Sequence, residues 1–309
     1  KRIRRQYAFH GRVIDHLSHL LVHVILTASG RSATISATMR QKLNGYLQME
    51  LIDIGCNLTH DSFDADREHV LQDARDAGVA QMIVTGASEE GSLKARELAL
   101  EHPGELFATA GVHPHRAADY TDKTHAVLQK LVTHDEVVAV GETGLDYFRD
   151  FSPRNVQQEV FQRQLQIGID SQLPCFLHLR DAHEDFHAIL REVRDRLSDV
   201  VVHCFTGNRE ELRAYLDLDC YIGITGWICD ERRGTHMKEY MQDIPADRLM
   251  VETDAPYLKP RNLRPRVKSH RNEPRFLPWI VGTLAAVRGV TPEELAAQTT
   301  ANARRFFRL

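Results

Sequence analysis

From Met49 onward the chain alternates short apolar runs with longer segments whose apolar residues recur at helical spacing. The runs are "ELIDIG" at 50–55, "QMIVTG" at 81–86, "LFATAG" at 106–111 and "VVAVGE" at 137–142, then "PCFLH" at 174–178, "VVVHCF" at 200–205, "CYIGIT" at 220–225 and "LMVET" at 249–253. They are rich in Val and Ile and apolar almost throughout, the pattern of parallel strands buried on both faces. Between them, "DADREHVLQDARDAG" ends in Gly78, a helix stop, and "SPRNVQQEVFQRQLQIGIDSQ" opens on Ser-Pro, a helix start. "REELRAYLDL" and "PEELAAQTTANARRFF" also read as helices. Strand–helix alternation repeated eight times predicts an α/β protein, a (β/α)8 TIM barrel spanning 49–309. A doubly wound open sheet is the alternative, but no GxGxxG turn follows the first run.

In such barrels the active site lies at the C-terminal ends of the strands. The third run leads into "GVHPH", with His113 and His115; the fourth ends in Glu142; the fifth ends in His178; the sixth carries His203; the eighth ends in Glu252 and Asp254. Each residue alone reads as a structural histidine or a capping acid. Their joint placement at one end of five strands predicts a metal site. Mixed His and carboxylate ligands suit zinc, manganese, iron or nickel, and carboxylate-rich sites suit magnesium, so the ligand set leaves the ion open. Glu142 is a residue that can bridge two ions, and Asp254 one that can orient or deprotonate a bound water.

The last third of the chain is crowded with cations: Arg232, Arg233, Arg261, Arg264, Arg266, Lys268, Arg271 and Arg275, most of them within the Pro-rich "KPRNLRPRVKSHRNEPR". The ordinary reading is a solvated loop. Beside a metal site it also suits phosphate contact, as does Arg180 after the fifth run. Trp227 and Tyr257 stand near the last two strand ends, where rim packing and stacking on a base are both open to them.

Overall composition adds little: 42% apolar, 27% charged and a net charge of −4 describe an ordinary globular protein and do not mark a nucleic-acid binder. The five cysteines are odd in number and lack CxxC spacing, which reads as reduced thiols in a reducing, cytoplasmic compartment. No apolar run approaches a membrane span. Residues 1–48 differ, with eight Lys and Arg against one acid, Asp15. A transit peptide, a secretory signal and an upstream extension all fit; the abrupt start of the globular pattern at Met49 favours an extension outside the fold. No extended apolar surface pattern is evident, so a monomer is expected.

The motifs "DIGCNLT", "GVHPH", "GETGLD", "HLRDAHE", "HCFTG", "YIGITGW", "ETDAPYL" and "RNEP" resemble the TatD family of metal-dependent deoxyribonucleases, within the amidohydrolase-like barrels. The resemblance runs from about Glu50 to Leu309, and "GITGWICDERRG" is similar to the bacterial branch of that family. It implies a 3′–5′ exonuclease acting with one or two divalent ions, Mg2+ ahead of Mn2+ or Zn2+, on single-stranded DNA, with RNA also open, in DNA repair and degradation. Carried over by motif, Glu142, His178, His203 and Asp254 would hold metal; Asp254, Glu252 and His113 would be catalytic; Arg180, Arg261 and Arg271 would contact phosphate. One departure stands out. Many relatives carry His-x-His at the end of the first strand, where this chain has Gly55 and Asn57. Two rivals remain: an amide, lactone or ester hydrolase on the same barrel, and a degenerate nucleic-acid-binding protein.

Overall fold

The computed structural model describes residues 49–264 and 267–309; the expected extension at 1–48 and Arg266 lie outside the described residues. Eight parallel strands stand side by side in sequence order. They are β1 (Leu51–Cys56), β2 (Val79–Val84), β3 (Leu106–Ala110), β4 (Val137–Asp146), β5 (Cys175–Arg180), β6 (Val200–Val202), β7 (Tyr221–Ile224) and β8 (Leu249–Val251). Every expected run is a strand, within a few residues at its ends. Helices α1 (Arg67–Asp76), α2 (Glu89–Glu101), α3 (Asp122–Leu131), α4 (Arg154–Ser171), α5 (His183–Val193) and α6 (Arg209–Asp217) follow the first six strands in turn. The last two, α7 (Leu277–Arg288) and α8 (Pro292–Phe307), both follow β8.

The alternation breaks once. β7 leads into short 3-10 turns at Gly226–Cys229, His236–Glu239, Met241–Asp243 and Ala246–Arg248. The sequence there explains it: Gly226, Gly234 and Pro245 interrupt any helical stripe. The Asp230 carboxylate bends the chain back by accepting the backbone N–H of Arg232 at 2.9 Å and of Arg233 at 3.3 Å.

Because side chains alternate across a strand, the sheet separates two apolar layers. Leu51, Met82, Val84 and Ala108 pack outward against the helices. Ile52, Ile54, Ile83, Phe176, Val201 and Met250 form the second cluster, within the barrel, together with Phe306 and Phe307 of α8. That helix is fixed to the strand starts: the Asn302 amide donates to the carbonyls of Ala246 and Leu249, and the Thr300 hydroxyl to that of Glu50. The barrel is thereby plugged at its N-terminal end, which leaves the opposite rim for chemistry.

Around that rim the seam between β8 and β1 is tied by backbone. Asp254 N–H donates to the Gly55 carbonyl at 2.8 Å, and Asn57 N–H to the Ala255 carbonyl at 2.6 Å. The fully buried Asp53 carboxylate accepts the Thr253 N–H at 2.9 Å and the Thr253 hydroxyl at 2.5 Å. These bonds set where the residues after β8 stand.

Candidate active site

The strand alternation explains how the site is assembled. On β4, Glu142, Gly144 and Asp146 share a face, and on β5 Phe176, His178 and Arg180 do. Phe176 lies in the inner cluster, so His178 stands above it at the rim. His113 comes from the turn after β3, His203 from just past β6.

These side chains meet at one atom. Glu142 Oε1 lies 2.8 Å from His203 Nε2, 3.0 Å from His178 Nδ1 and 3.3 Å from His113 Nε2. A second carboxylate extends the network: Asp146 Oδ2 is 2.7 Å from His115 Nε2 and 3.3 Å from His178 Nε2. A third closes it on the far side, where Glu252 Oε2 is 3.3 Å from His203 Nδ1 and Glu252 Oε1 accepts the Cys204 N–H at 2.6 Å. Asp254, in the left-handed backbone region at φ +55°, accepts a hydrogen bond from the Asn57 amide at 3.2 Å.

The electrostatics follow from these partners. Burial would raise the Glu142 pKa, but the surrounding imidazoles hold it well below the usual carboxylate range. Burial also opposes protonation of His178 and His203. Even so, His178 is pushed up by Asp146 and Glu142, and His203 well up by Glu252 and Glu142. His113 has no such second partner, and burial lowers it to about 4. Asp254 goes the other way: burial raises it to about 8, opposed by His203 and assisted by Glu142 and Glu252.

Donor atoms of His113, Glu142 and His178 lie within 4.8 Å of one another, a spacing that can hold a divalent ion. His113 has a constraint the other two lack. Its Nδ1 accepts the backbone N–H of His115 at 3.1 Å. A neutral imidazole accepting at Nδ1 carries its proton on Nε2, the nitrogen facing Glu142. His113 is thus arranged as a donor to Glu142. His178 and His203 each stand between two carboxylates, where loss of a proton leaves a nitrogen lone pair directed inward.

The structure brings together His113, Glu142, His178 and His203, with Glu252 behind His203 and Asp254 at the seam. Glu252 is wholly buried, and both its oxygens are engaged within the protein. The departure at Gly55 has a steric reason: a Cβ there would stand 2.5 Å from Glu252 Oε2 and 2.9 Å from Phe176 Cζ. The missing side chain at residue 55 makes room for the buried carboxylate.

The three arginines are dispersed. The Arg180 guanidinium lies over Phe148 at 5.0 Å and Trp227 at 5.5 Å and donates to Thr206 at 3.0 Å. Arg261 pairs with Glu231 at 3.0 Å. Arg271 donates to both Asp66 oxygens at 2.8 and 2.7 Å and to Glu273 at 3.1 Å, so it ties the loop after β8 to the segment after β1.

Sequence reasoning passed over Asp146 and Asn57 as site residues. The signal for Asp146 was its even spacing from Glu142 along one strand; Asn57 had no local signal, since its partner Asp254 is distant in sequence.

The comparisons agree with this fold. The family model described as TatD related DNase matches residues 52–308. A 3′-5′ ssDNA/RNA exonuclease TatD from Erwinia billingiae is 50% identical over 259 residues, which cover 84% of this chain and 99% of the relative. Among solved structures, a TatD homolog from Escherichia coli K12 superposes with a TM-score of 0.77 at 28% identity, over 84% of this chain and 99% of that one. A TatD family hydrolase from Entamoeba histolytica gives a TM-score of 0.73 at 26% identity, over 84% and 98%. With eight parallel strands in order and one acid ringed by histidines at their ends, the chain belongs to the TatD related DNase family.

Proposed function

We propose that this chain is a divalent-metal-dependent 3′–5′ exonuclease that hydrolyses phosphodiester bonds of single-stranded DNA and RNA. One observation carries the reading. A single buried carboxylate oxygen of Glu142 is ringed by three imidazole nitrogens at the barrel rim of a TatD family chain. Glu142, His178, His203 and Asp254 would hold one or two ions, with Mg2+ as the working choice and Mn2+ and Zn2+ as alternatives. The donor set fits: carboxylate oxygens and imidazole nitrogens converge, and the acid at their centre is held ionised. An ion held by these residues would supply Lewis acidity toward the scissile phosphate and toward a water beside it.

The chain's own residues do the rest. Asp254 takes the proton of the attacking water. Burial raises its pKa to about 8, so it would act as a base only once a cation bound beside it has drawn off its own proton, and the Asn57 amide fixes one of its oxygens. His113 holds Glu142 through its Nε2 proton. Glu252 orients His203 from behind, as an outer partner fixes the ring and tautomer of a ligating histidine. Arg180 would meet flanking phosphates, while Arg271 secures the loop after β8 and Arg261 is paired with Glu231.

The test uses single-stranded oligonucleotides labelled at the 3′ or the 5′ end, incubated with EDTA, Mg2+, Mn2+ or Zn2+. Metal-dependent shortening from the 3′ end, abolished in Glu142→Ala, is expected. No cleavage with any metal by folded protein would overturn the nuclease reading and direct the search to cyclic amides, lactones and esters.

A further inference from the structure

Phe148 and Phe151 are exposed to 59% and 67%, more than any other large hydrophobic side chain among the described residues. Burying a phenylalanine is worth about 1.5–3 kcal/mol, so two exposed rings in one loop call for an explanation. They lie between β4 and α4, directly after Asp146, and Phe151 reaches the site itself: its ring centroid is 4.8 Å from that of His115, which bonds Asp146.

The loop holds them firmly. Asp146 Oδ1 accepts the Arg149 N–H at 2.7 Å, and the buried Gln157 amide donates to the Ser152 carbonyl at 2.7 Å. Ser152 Oγ accepts the Ala118 N–H at 3.1 Å and donates to the His115 carbonyl at 3.2 Å. The surroundings of the rings are cationic. The Arg149 and Arg180 guanidiniums stand 5.7 and 5.0 Å from the Phe148 centroid, and Arg180 and Arg233 stand 5.5 and 4.2 Å from that of Trp227. Across the rim, the half-exposed Tyr257 ring meets His60 edge-on at 5.8 Å.

We infer that Phe148 and Phe151 are a base-stacking platform, on which unpaired bases of the substrate strand rest while Arg149 and Arg180 meet its phosphates. The inference rests on the nuclease reading and adds how the strand is held. Flat apolar faces interleaved with guanidiniums match a polymer that carries a π-face and a negative charge in every unit. A duplex hides its base faces, so the platform selects single strands, and every base has a face, so it does so with little regard to sequence.

The experiment compares wild type, Phe148→Ala/Phe151→Ala and Phe148→Tyr/Phe151→Tyr on two substrates: a labelled single-stranded oligodeoxynucleotide, and an oligomer of the same length built from abasic tetrahydrofuran units. On the normal strand the double alanine variant is expected to raise KM by about five- to a hundred-fold, the range for losing base–aromatic stacking. The tyrosine variant restores it. On the abasic strand wild type already shows the high KM, and the alanine variant adds little. An equal loss on both strands would overturn the platform in favour of a structural role, and no change on the normal strand would overturn it outright. Absence of cleavage by wild type would instead defeat the nuclease reading. Fluorescence anisotropy with the same labelled strand then judges the platform: weaker binding by the alanine variant supports it, and no binding by wild type overturns it.

Discussion

Two sectors of the barrel rim bury carboxylates, and they do so by opposite means. Between β3 and β5, Glu142 and Asp146 face imidazole nitrogens, which hold both acids below the ordinary range against the effect of burial. At the seam of β8 and β1, Asp53 and Asp254 are bonded to a hydroxyl, an amide and backbone N–H groups, and burial raises them to about 7 and about 8. Similar burial therefore yields opposite protonation, because the partners differ in charge. One sector keeps its acids ionised and able to bind a cation, while the other keeps its acids largely protonated near neutral pH until a cation beside them draws the proton off. A hydrolytic site needs both, and environments that drive the titrations of neighbouring groups apart are how one fold supplies them.

The largest test of this contrast sets Asp254→Asn beside Glu142→Ala. The alanine variant is expected to lose bound metal and turnover together. Asp254→Asn is expected to lower kcat by about 10²- to 10⁴-fold, the range for removing a general base, while an ion still binds at Glu142, His178 and His203 in calorimetry. Loss of one ion in Asp254→Asn would show that the seam acid is a ligand before it is a base.

Metal affinity sharpens the comparison next. His178 and His203 hold protons more tightly than free histidine, and metal must displace them. Affinity is therefore expected to rise with pH through neutrality, with proton release visible as buffer-dependent heats of binding. Affinity independent of pH would mean that these imidazoles are not ligands.

Gly55→Ala tests the seam sterically. Its Cβ would press on Glu252 and Phe176, and a loss of about 1–3 kcal/mol in denaturant unfolding is expected, as for other overpacked cores. Unchanged stability would mean that Glu252 moves freely, against its part in fixing His203.

A test by pH belongs to Asp53. Its folded pKa of about 7 lies above the ordinary 3.8, so the native state binds the proton more tightly than the unfolded chain does. That contribution to stability is fully present below pH 3.8 and is lost as pH rises toward 7. Asp53→Asn should remove this component, so the difference in Tm between variant and wild type changes across that window. A constant difference would show that Asp53 stays ionised throughout.

The eight strands and the two long helices α4 and α8 were legible because their signals are local: apolar runs, a Ser-Pro start and apolar residues at helical spacing. The missing helix after β7 was legible too, in Gly226, Gly234 and Pro245, yet the regular alternation argued past it. Glu142, His178 and His203 could be picked out because each lies in or at the end of an apolar run, and a polar group there must find a partner. The role of Arg271 could not be read this way. A basic Pro-rich loop looks suited to phosphate, and only folding reveals that Asp66 already occupies that guanidinium.

What the sequence by itself determined is the periodicity: which segments are strands, which face of each is polar, and that the polar ends gather at one rim. Tertiary structure alone decided what those ends became. Glu142 lies in β4 and draws histidines from the turn after β3, from β5 and from just past β6; Asp254 takes its partner from the end of β1; Glu252 fills the space that Gly55 vacates. The sign of a pKa shift and the choice between ligand, base and positioning acid depend on distances of a few ångströms between residues far apart in the chain. Local patterning does not encode such distances; closing the barrel does.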